Sequence, residues 1–253
     1  MNVAIETINL TRDFGKFRAV NELNLQVEAG RFYGFLGPNG AGKSTTIKML
    51  TGLLAPSSGQ MKILGEDVSD PKRALAVKQR IGVVPENLAL FDNLTAREYL
   101  TFIGRMYLLP RDTIRTRSEE LLTMMDLAHE DKKLTLEYSH GMKKKLSLAA
   151  ALIPNPDLLF LDEPFEGVDA VASKVLRDML KQVVARGATV FLTSHVLEIV
   201  EKLCTDVGII AHGKVVHSGT MEELRRDGSS LEDKFISVVG TDGHEAQKLS
   251  WLE

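Results

Sequence analysis

The sequence predicts an α/β protein: a core with a parallel sheet, an N-terminal antiparallel β subdomain and a helical insertion. Three observations carry that prediction. Apolar runs at Phe32–Leu36, Leu158–Leu161 and Ala188–Thr193 read as buried strands, with helical spacing between them, and strand, helix, strand alternation implies parallel pairing. The first 36 residues are rich in short β-type runs. Residues 87 to about 153 carry helical apolar periodicity with few β-branched runs, which marks an insertion.

Taken in order, Val3–Leu10 and Arg18–Val27 read as strands, the second with Val20, Leu23, Leu25 and Val27 on its apolar side. Phe32–Leu36 is the next. From Ser44 the spacing becomes helical, with Ile47, Leu50, Leu53 and Leu54 on one side, up to the turn cluster Pro56-Ser57-Ser58-Gly59. Strands are predicted at Met61–Leu64 and Ile81–Val84, and helices over Thr95–Leu109, Asp112–Leu127 and Gly141–Leu152. After Leu158–Leu161 a helix runs from about Ala170 to Arg186 and stops at Gly187, and Leu231–Val239 is an apolar helical piece. Residues 1–240 form one domain in this reading, and 241–253 a polar C-terminal tail.

Bulk composition is ordinary for a globular chain of 253 residues, with 44% hydrophobic and 26% charged residues. A net charge of -3 provides no polycationic field, so direct nucleic-acid binding is not expected. The run Lys143-Lys144-Lys145 reads as a solvated helix surface rather than a nucleic-acid patch. Cys204, the single cysteine, has no partner for an intrachain disulfide, and no secretory pattern opens the chain, which points to the cytosol. No stretch reaches the ~18 apolar residues of a membrane span, so any membrane role runs through a partner.

Gly37-Pro38-Asn39-Gly40-Ala41-Gly42-Lys43-Ser44 fits G-x-x-x-x-G-K-[ST] and lies between a predicted strand and a predicted helix, the context that pattern requires. The core is therefore of the P-loop NTPase class. Its glycines let successive backbone N–H groups converge on a phosphate, and the helix that follows turns its positive end to the same anion. Lys43 is placed to reach the β- and γ-phosphates of ATP, Ser44 to give its hydroxyl to Mg²⁺, and Thr45 completes the contacts. Leu158-Leu159-Phe160-Leu161-Asp162-Glu163 delivers two carboxylates at the end of an apolar strand, the sheet edge where ligands bind. That is a Walker B arrangement, with Asp162 toward Mg²⁺ and Glu163 toward the attacking water.

With four further segments, these motifs resemble the ATP-binding subunit of ATP-binding-cassette transporters, from residue 3 to about 240. Tyr138-Ser139-His140-Gly141-Met142-Lys143 stands where that family has its Leu-Ser-Gly-Gly-Gln signature. His195 resembles the family's switch histidine, Phe14 the aromatic residue that stacks on adenine, Gly167-Val168-Asp169 the D-loop and Val84-Pro85-Glu86 the Q-loop. Read alone, Ser139 is a helix N-cap, Phe14 a core aromatic and His195 a structural hydrogen-bonding residue. The resemblance implies ATP and Mg²⁺ as ligands and a catalytic set of Glu163, His195, Lys43 and Glu86, with Glu86 also a metal ligand. It further implies two cassettes, identical or closely related, facing head to tail. Each ATP then lies between one subunit's phosphate loop and Ser139 and Gly141 of the other. The pair would drive an integral membrane permease from the inner face of the cell membrane.

Two positions depart from the family pattern. Glu86 replaces the Q-loop glutamine, exchanging an amide donor for a group that only accepts when ionised, and His140 replaces the first signature glycine. Glu86 after Pro85, the signature variant and the segment Leu231-Glu232-Asp233-Lys234-Phe235 look most like the exporter branch with separate permease subunits. Residues 86 to about 110 would form the groove that receives a permease coupling helix. The alternatives are a soluble cassette ATPase in an assembly process, such as that of iron-sulfur clusters, and a nucleotide-dependent interaction subunit with low turnover.

Overall fold

The computed structural model describes residues 2–130, 132–226, 228 and 230–240, so the predicted tail 241–253 lies outside the described residues. The chain opens with β1 (Val3–Phe14), β2 (Phe17–Glu28) and β3 (Phe32–Leu36), followed by α1 (Lys43–Leu50). Next come β4 (Ser58–Ile63), β5 (Glu66–Asp67), α2 (Pro71–Lys78) and β6 (Ile81–Val84). Three helices follow: α3 (Ala96–Met106), α4 (Arg111–Met124) and α5 (His140–Leu152). The chain then returns to alternation with β7 (Leu158–Asp162), α6 (Ala170–Ala185), β8 (Thr189–Ser194), α7 (Leu197–Leu203) and β9 (Asp206–Ala211). It finishes with β10 (Lys214–Thr220), α8 (Met221–Arg226) and α9 (Leu231–Val239).

Two sheets organise these elements. The first is antiparallel, in the order β2-β1-β4-β5, and the second has the order β10-β9-β3-β8-β7-β6. In the second, β9, β3, β8, β7 and β6 run parallel, and β10 returns antiparallel on the edge. Parallel strands buried on both faces are built from continuous apolar runs, and β3, β7 and β8 are buried at every position. Alternate side chains then serve different cores: Leu158 and Phe160 face the cluster shared with β1, β2 and α1, whereas Leu159 and Leu161 face the one shared with α3 to α6. Phe191 centres the first cluster, stacked 5.6 Å from Tyr33 and tilted at 5.3 Å from Phe35 and 5.8 Å from Phe160. Register aligns the strand ends that matter: Leu36 lies beside Ser194, and Asp162 beside Thr193. The carboxyl ends of β3, β7 and β8 therefore form one edge, and it is there that ligands bind in open α/β sheets.

The structure corrects some boundaries and adds elements. Helix α1 ends at Leu50; Leu53, expected on its apolar side, is 69% exposed, because the chain leaves the helix through a turn with Gly52 at φ 70°. Helix α2 was not read from the sequence although Asp70 caps it, its carboxylate accepting from the Lys72 N–H at 2.8 Å, with Pro71 at the first position. The hairpin β9–β10 was also missed. Its two-residue loop, His212-Gly213, has positive φ at both positions (50° and 77°), the geometry that matches strand twist in tight hairpins.

Candidate nucleotide and metal site

The loop after β3 is held close to the protein by two glycines. A Cβ at Gly37 would lie 2.4 Å from the Ile210 carbonyl oxygen, and one at Gly42 2.6 Å from that of Ala19. Gly42 also caps α1 at φ 108°, a backbone state that L-residues rarely adopt. The first N–H groups of α1 thus open toward the cleft, which has a volume of about 440 Å³ and is bounded by Asn39, Gly40, Gly42 and Lys43 to Thr45 on this side. Lys43 is buried, and its Nζ donates to the carbonyls of Gly37 at 2.8 Å and Pro38 at 3.3 Å. Ala41 is buried beneath the loop.

Residues from three other elements converge on the same cleft. The Ser44 hydroxyl lies within reach of two acceptors, Glu86 Oε2 at 3.2 Å and Asp162 Oδ1 at 3.3 Å. Burial raises the Asp162 carboxyl above the usual carboxylate range, and the negative charge of Glu86 adds to the effect; hydrogen bonds from Thr193 and Ser44 oppose it. Two carboxylates facing one hydroxyl form a donor set suited to a hard divalent cation, which would relieve their repulsion. Among the described residues no group of three or more His, Cys, Asp and Glu side chains could hold a metal, so a cation here needs Ser44 and ligands from outside the chain.

Glu163 is held from every side. Its carboxylate Oε2 accepts from His195 Nδ1 at 3.0 Å and from the His195 backbone N–H at 3.3 Å, which selects the His195 form protonated at Nδ1, and Oε1 stands 3.7 Å from Lys43 Nζ. Its backbone has φ 49°, a left-handed state costing a non-glycine residue roughly 1–3 kcal/mol and persisting only where surroundings enforce it. Thr193 contributes to that enforcement: its hydroxyl donates to Asp162 Oδ1 at 2.6 Å and accepts from the Glu163 N–H at 3.1 Å. Thr193 and Glu166, which also lines the cleft, were not selected from the sequence. The register of β7 against β8 brings Thr193 there, and a lone threonine near a strand end carries no signal of it.

One aromatic ring joins the expected set, and one expectation is corrected. The aromatic ring lining the cleft is Phe17, 63% exposed, whereas Phe14, paired with it across the β1–β2 hairpin, has the Arg12 guanidinium 4.7 Å over its ring. The lysine run on α5 is not all solvated surface: Lys144 is 2% exposed, because its position on the helix turns inward. Ser139 caps α5, its Oγ accepting from the Met142 N–H at 3.3 Å. Neither Ser139 nor Gly141 borders the cleft of its own chain.

A phosphate loop on the edge of a parallel sheet, with a hydroxyl, two carboxylates and a carboxylate–histidine pair around it, defines a nucleotide-binding protein of the P-loop type. The ABC transporter family is matched over residues 20–166. Relatives agree: the bacitracin transport ATP-binding protein BcrA of Bacillus licheniformis is 39% identical over 250 residues, 96% of this chain and 80% of that protein. The daunorubicin/doxorubicin resistance ATP-binding protein DrrA of Streptomyces peucetius is 40% identical over 93% of this chain and 70% of its own. A solved ATP-binding subunit of an ABC transporter has a TM-score of 0.87 at 29% identity, over 94% of this chain and 100% of that one. A dimeric ATP-binding cassette in a post-hydrolysis state, bound to ADP and Pi, shares the fold with a TM-score of 0.79 at 23% identity, over 86% and 98% of the two chains. The chain belongs to the ABC transporter family. Within it, it is an ATP-binding subunit with the ATPase activity of that class.

Proposed function

We propose that this chain powers an exporter, working as one of two cassettes beneath separate membrane subunits. The observation that carries the reading is the convergence of Lys43, Ser44, Glu86, Asp162, Glu163 and His195 on one cleft at the sheet edge. Backbone N–H groups of residues 39–44 take the phosphate oxygens of ATP, and Lys43 exchanges its loop carbonyls for the β- and γ-phosphates. Asp162, Ser44 and Glu86 would hold Mg²⁺, which supplies neutralisation of phosphate charge when bound. The Glu163 carboxylate accepts the proton of the attacking water, and the His195 Nδ1–H holds it in aim. Phe14 and Phe17 at the hairpin tip offer aromatic faces to the base. Ser139 and Gly141 at the start of α5 point to a second cassette, whose ATP they would contact through a hydroxyl, a backbone N–H and the positive helix end.

Transport rather than a soluble assembly role is favoured by the names of relatives, such as bacitracin transport and daunorubicin/doxorubicin resistance. No helix among the described residues is long and apolar enough to cross a membrane, so the membrane path belongs to a partner and the chain sits on the inner face through it. A cleft bordered by Pro85, Leu90, Tyr99, Ile103, Tyr107 and Ala151, beside exposed Phe102 and Met106, is suited to receive a helix of that partner.

Two measurements test the reading. Glu163→Gln is expected to lower ATP turnover about 10²-fold or more while retaining ATP and accumulating a dimer; unchanged turnover would remove Glu163 from the catalytic role. Capture from detergent-solubilised membranes is expected to bring a multi-span protein, and recovery of soluble partners alone would sink the transport reading.

A further inference from the structure

Lys144 is a buried cation that the mechanism above does not use. Lys43 and Lys144 are the two buried lysines among the described residues. Lys144 Nζ donates to the backbone carbonyl of Glu163 at 2.7 Å. Burial lowers its affinity for the proton, and the carboxylates of Glu166, Glu163, Asp162 and Glu86 act in the opposite direction, so the ammonium lies within the field of the catalytic cluster. A buried charge is costly unless paired, and the partner found here is the carbonyl of the residue with the left-handed backbone. Glu163 is therefore gripped at both ends of its main chain, by Thr193 on the N–H and by Lys144 on the carbonyl.

The helix that carries Lys144 makes the contact more than local. Lys144 stands just over one turn into α5, whose first residues are His140 and Gly141, capped by Ser139. His140 in turn lies against the loop that follows Glu163: a Cβ at Gly167 would come 3.0 Å from its Cδ2. Helix α5 thus touches both ends of segment 163–167, at its first turn through His140 and at its second through Lys144.

We propose that Lys144 is a positioning residue for hydrolysis: it fixes the Glu163 main chain, and so the aim of the carboxylate, and it ties that aim to the end of α5 that addresses the second cassette. This rests on the assignment of Glu163 above. Displacement of a reacting group by ~1 Å costs on the order of 10²-fold in rate, which sets the scale of the effect.

The experiment compares Lys144→Met, Lys144→Gln and Lys144→Arg with the unaltered chain, using Mg²⁺-ATP turnover, ATP binding by equilibrium titration and thermal melting. Lys144→Met is expected to lower kcat by ~10- to 100-fold, with KM and ATP affinity within about threefold. Lys144→Arg, which keeps the donor and the charge, is expected to recover most of the rate. In a Glu163→Gln background Lys144→Met should subtract almost nothing further, since both act through one carboxylate. Full kcat in folded Lys144→Met, or a loss that falls on ATP affinity with kcat kept, overturns the proposal. Should Lys144→Met not fold, the Gln and Arg variants decide it: equal kcat in the two overturns it, and rescue by Arg alone supports it. An unaltered chain without ATP turnover overturns the catalytic assignment itself and this proposal with it.

Discussion

Asp162 stands where burial disfavours its charged form. Its carboxyl is raised by burial and by Glu86, so the folded chain binds that proton more tightly than the unfolded chain does. The stability it contributes is present below the unfolded value near 3.8 and is lost as pH rises through the higher folded value. At neutral pH without metal, Asp162 is thus a liability, and Asp162→Asn should melt at a higher temperature than the unaltered chain. That advantage should shrink as pH is lowered toward 4, where the native carboxyl takes up its proton. The same variant should lose the extra stabilisation that Mg²⁺-ATP adds over ATP alone, as measured by thermal shift with and without the metal. Functional sites store cost in this way, as the left-handed Glu163 next to it also does. The motif residues at this scale were legible because they are contiguous: a phosphate loop and an apolar strand ending in two acids each fit in eight residues or fewer. Thr193, Glu166 and Lys144 were not, because their roles arise from neighbours far along the chain.

Among the elements, β3 and α7 set how close a helix approaches the sheet beneath the site. Gly34 permits it: a Cβ there would lie 2.6 Å from Val200 Cγ1 and 3.0 Å from Cys204 Sγ. Gly34→Ala should cost about 1–3 kcal/mol by overpacking, a fall of ~2–4 °C in melting temperature per kcal/mol for a chain of this size. Cys204 reports on the same contact, since it is buried and burial pushes its thiol well up. Labelling of Cys204 by a thiol reagent should be slow in the unaltered chain and faster in Gly34→Ala. Most strands and helices were legible from periodicity, since a buried parallel strand needs a continuous apolar run and an amphipathic helix a stripe. Helical spacing predicts a longer α1 because Leu53 and Leu54 continue it past the point where Gly52 turns the chain away.

For the whole molecule, the site is half of a larger one if the cassette pair forms, and the groove beside α3 adjoins it along the chain, with Pro85 in the groove and Glu86 in the cleft. Phe102 and Met106 leave apolar surface there, Met106 being 66% exposed. Met106→Glu should abolish recovery of the membrane partner from solubilised membranes with the melting temperature kept within about 2 °C, because an exposed substitution disturbs no core. Retention of the partner would move the docking surface elsewhere. Such a surface is visible once α3, α5 and the segment after β6 are assembled, and no single stretch of sequence displays it.

Phosphate binding and a strand that presents acids to it are legible as expectations in the chain alone. Those functions depend on local backbone freedom and on residue types at fixed short spacing, at Gly37 to Ser44 and at Leu158 to Glu163. Assembly of the fold places Ser44 between Glu86 and Asp162, sets Phe17 at the border of the cleft and holds Glu163 left-handed between Thr193 and Lys144. Burial and partnership are properties of surroundings: the three adjacent lysines of α5 are chemically identical in the chain, and the direction in which the helix faces makes one of them a buried donor to the Glu163 backbone carbonyl.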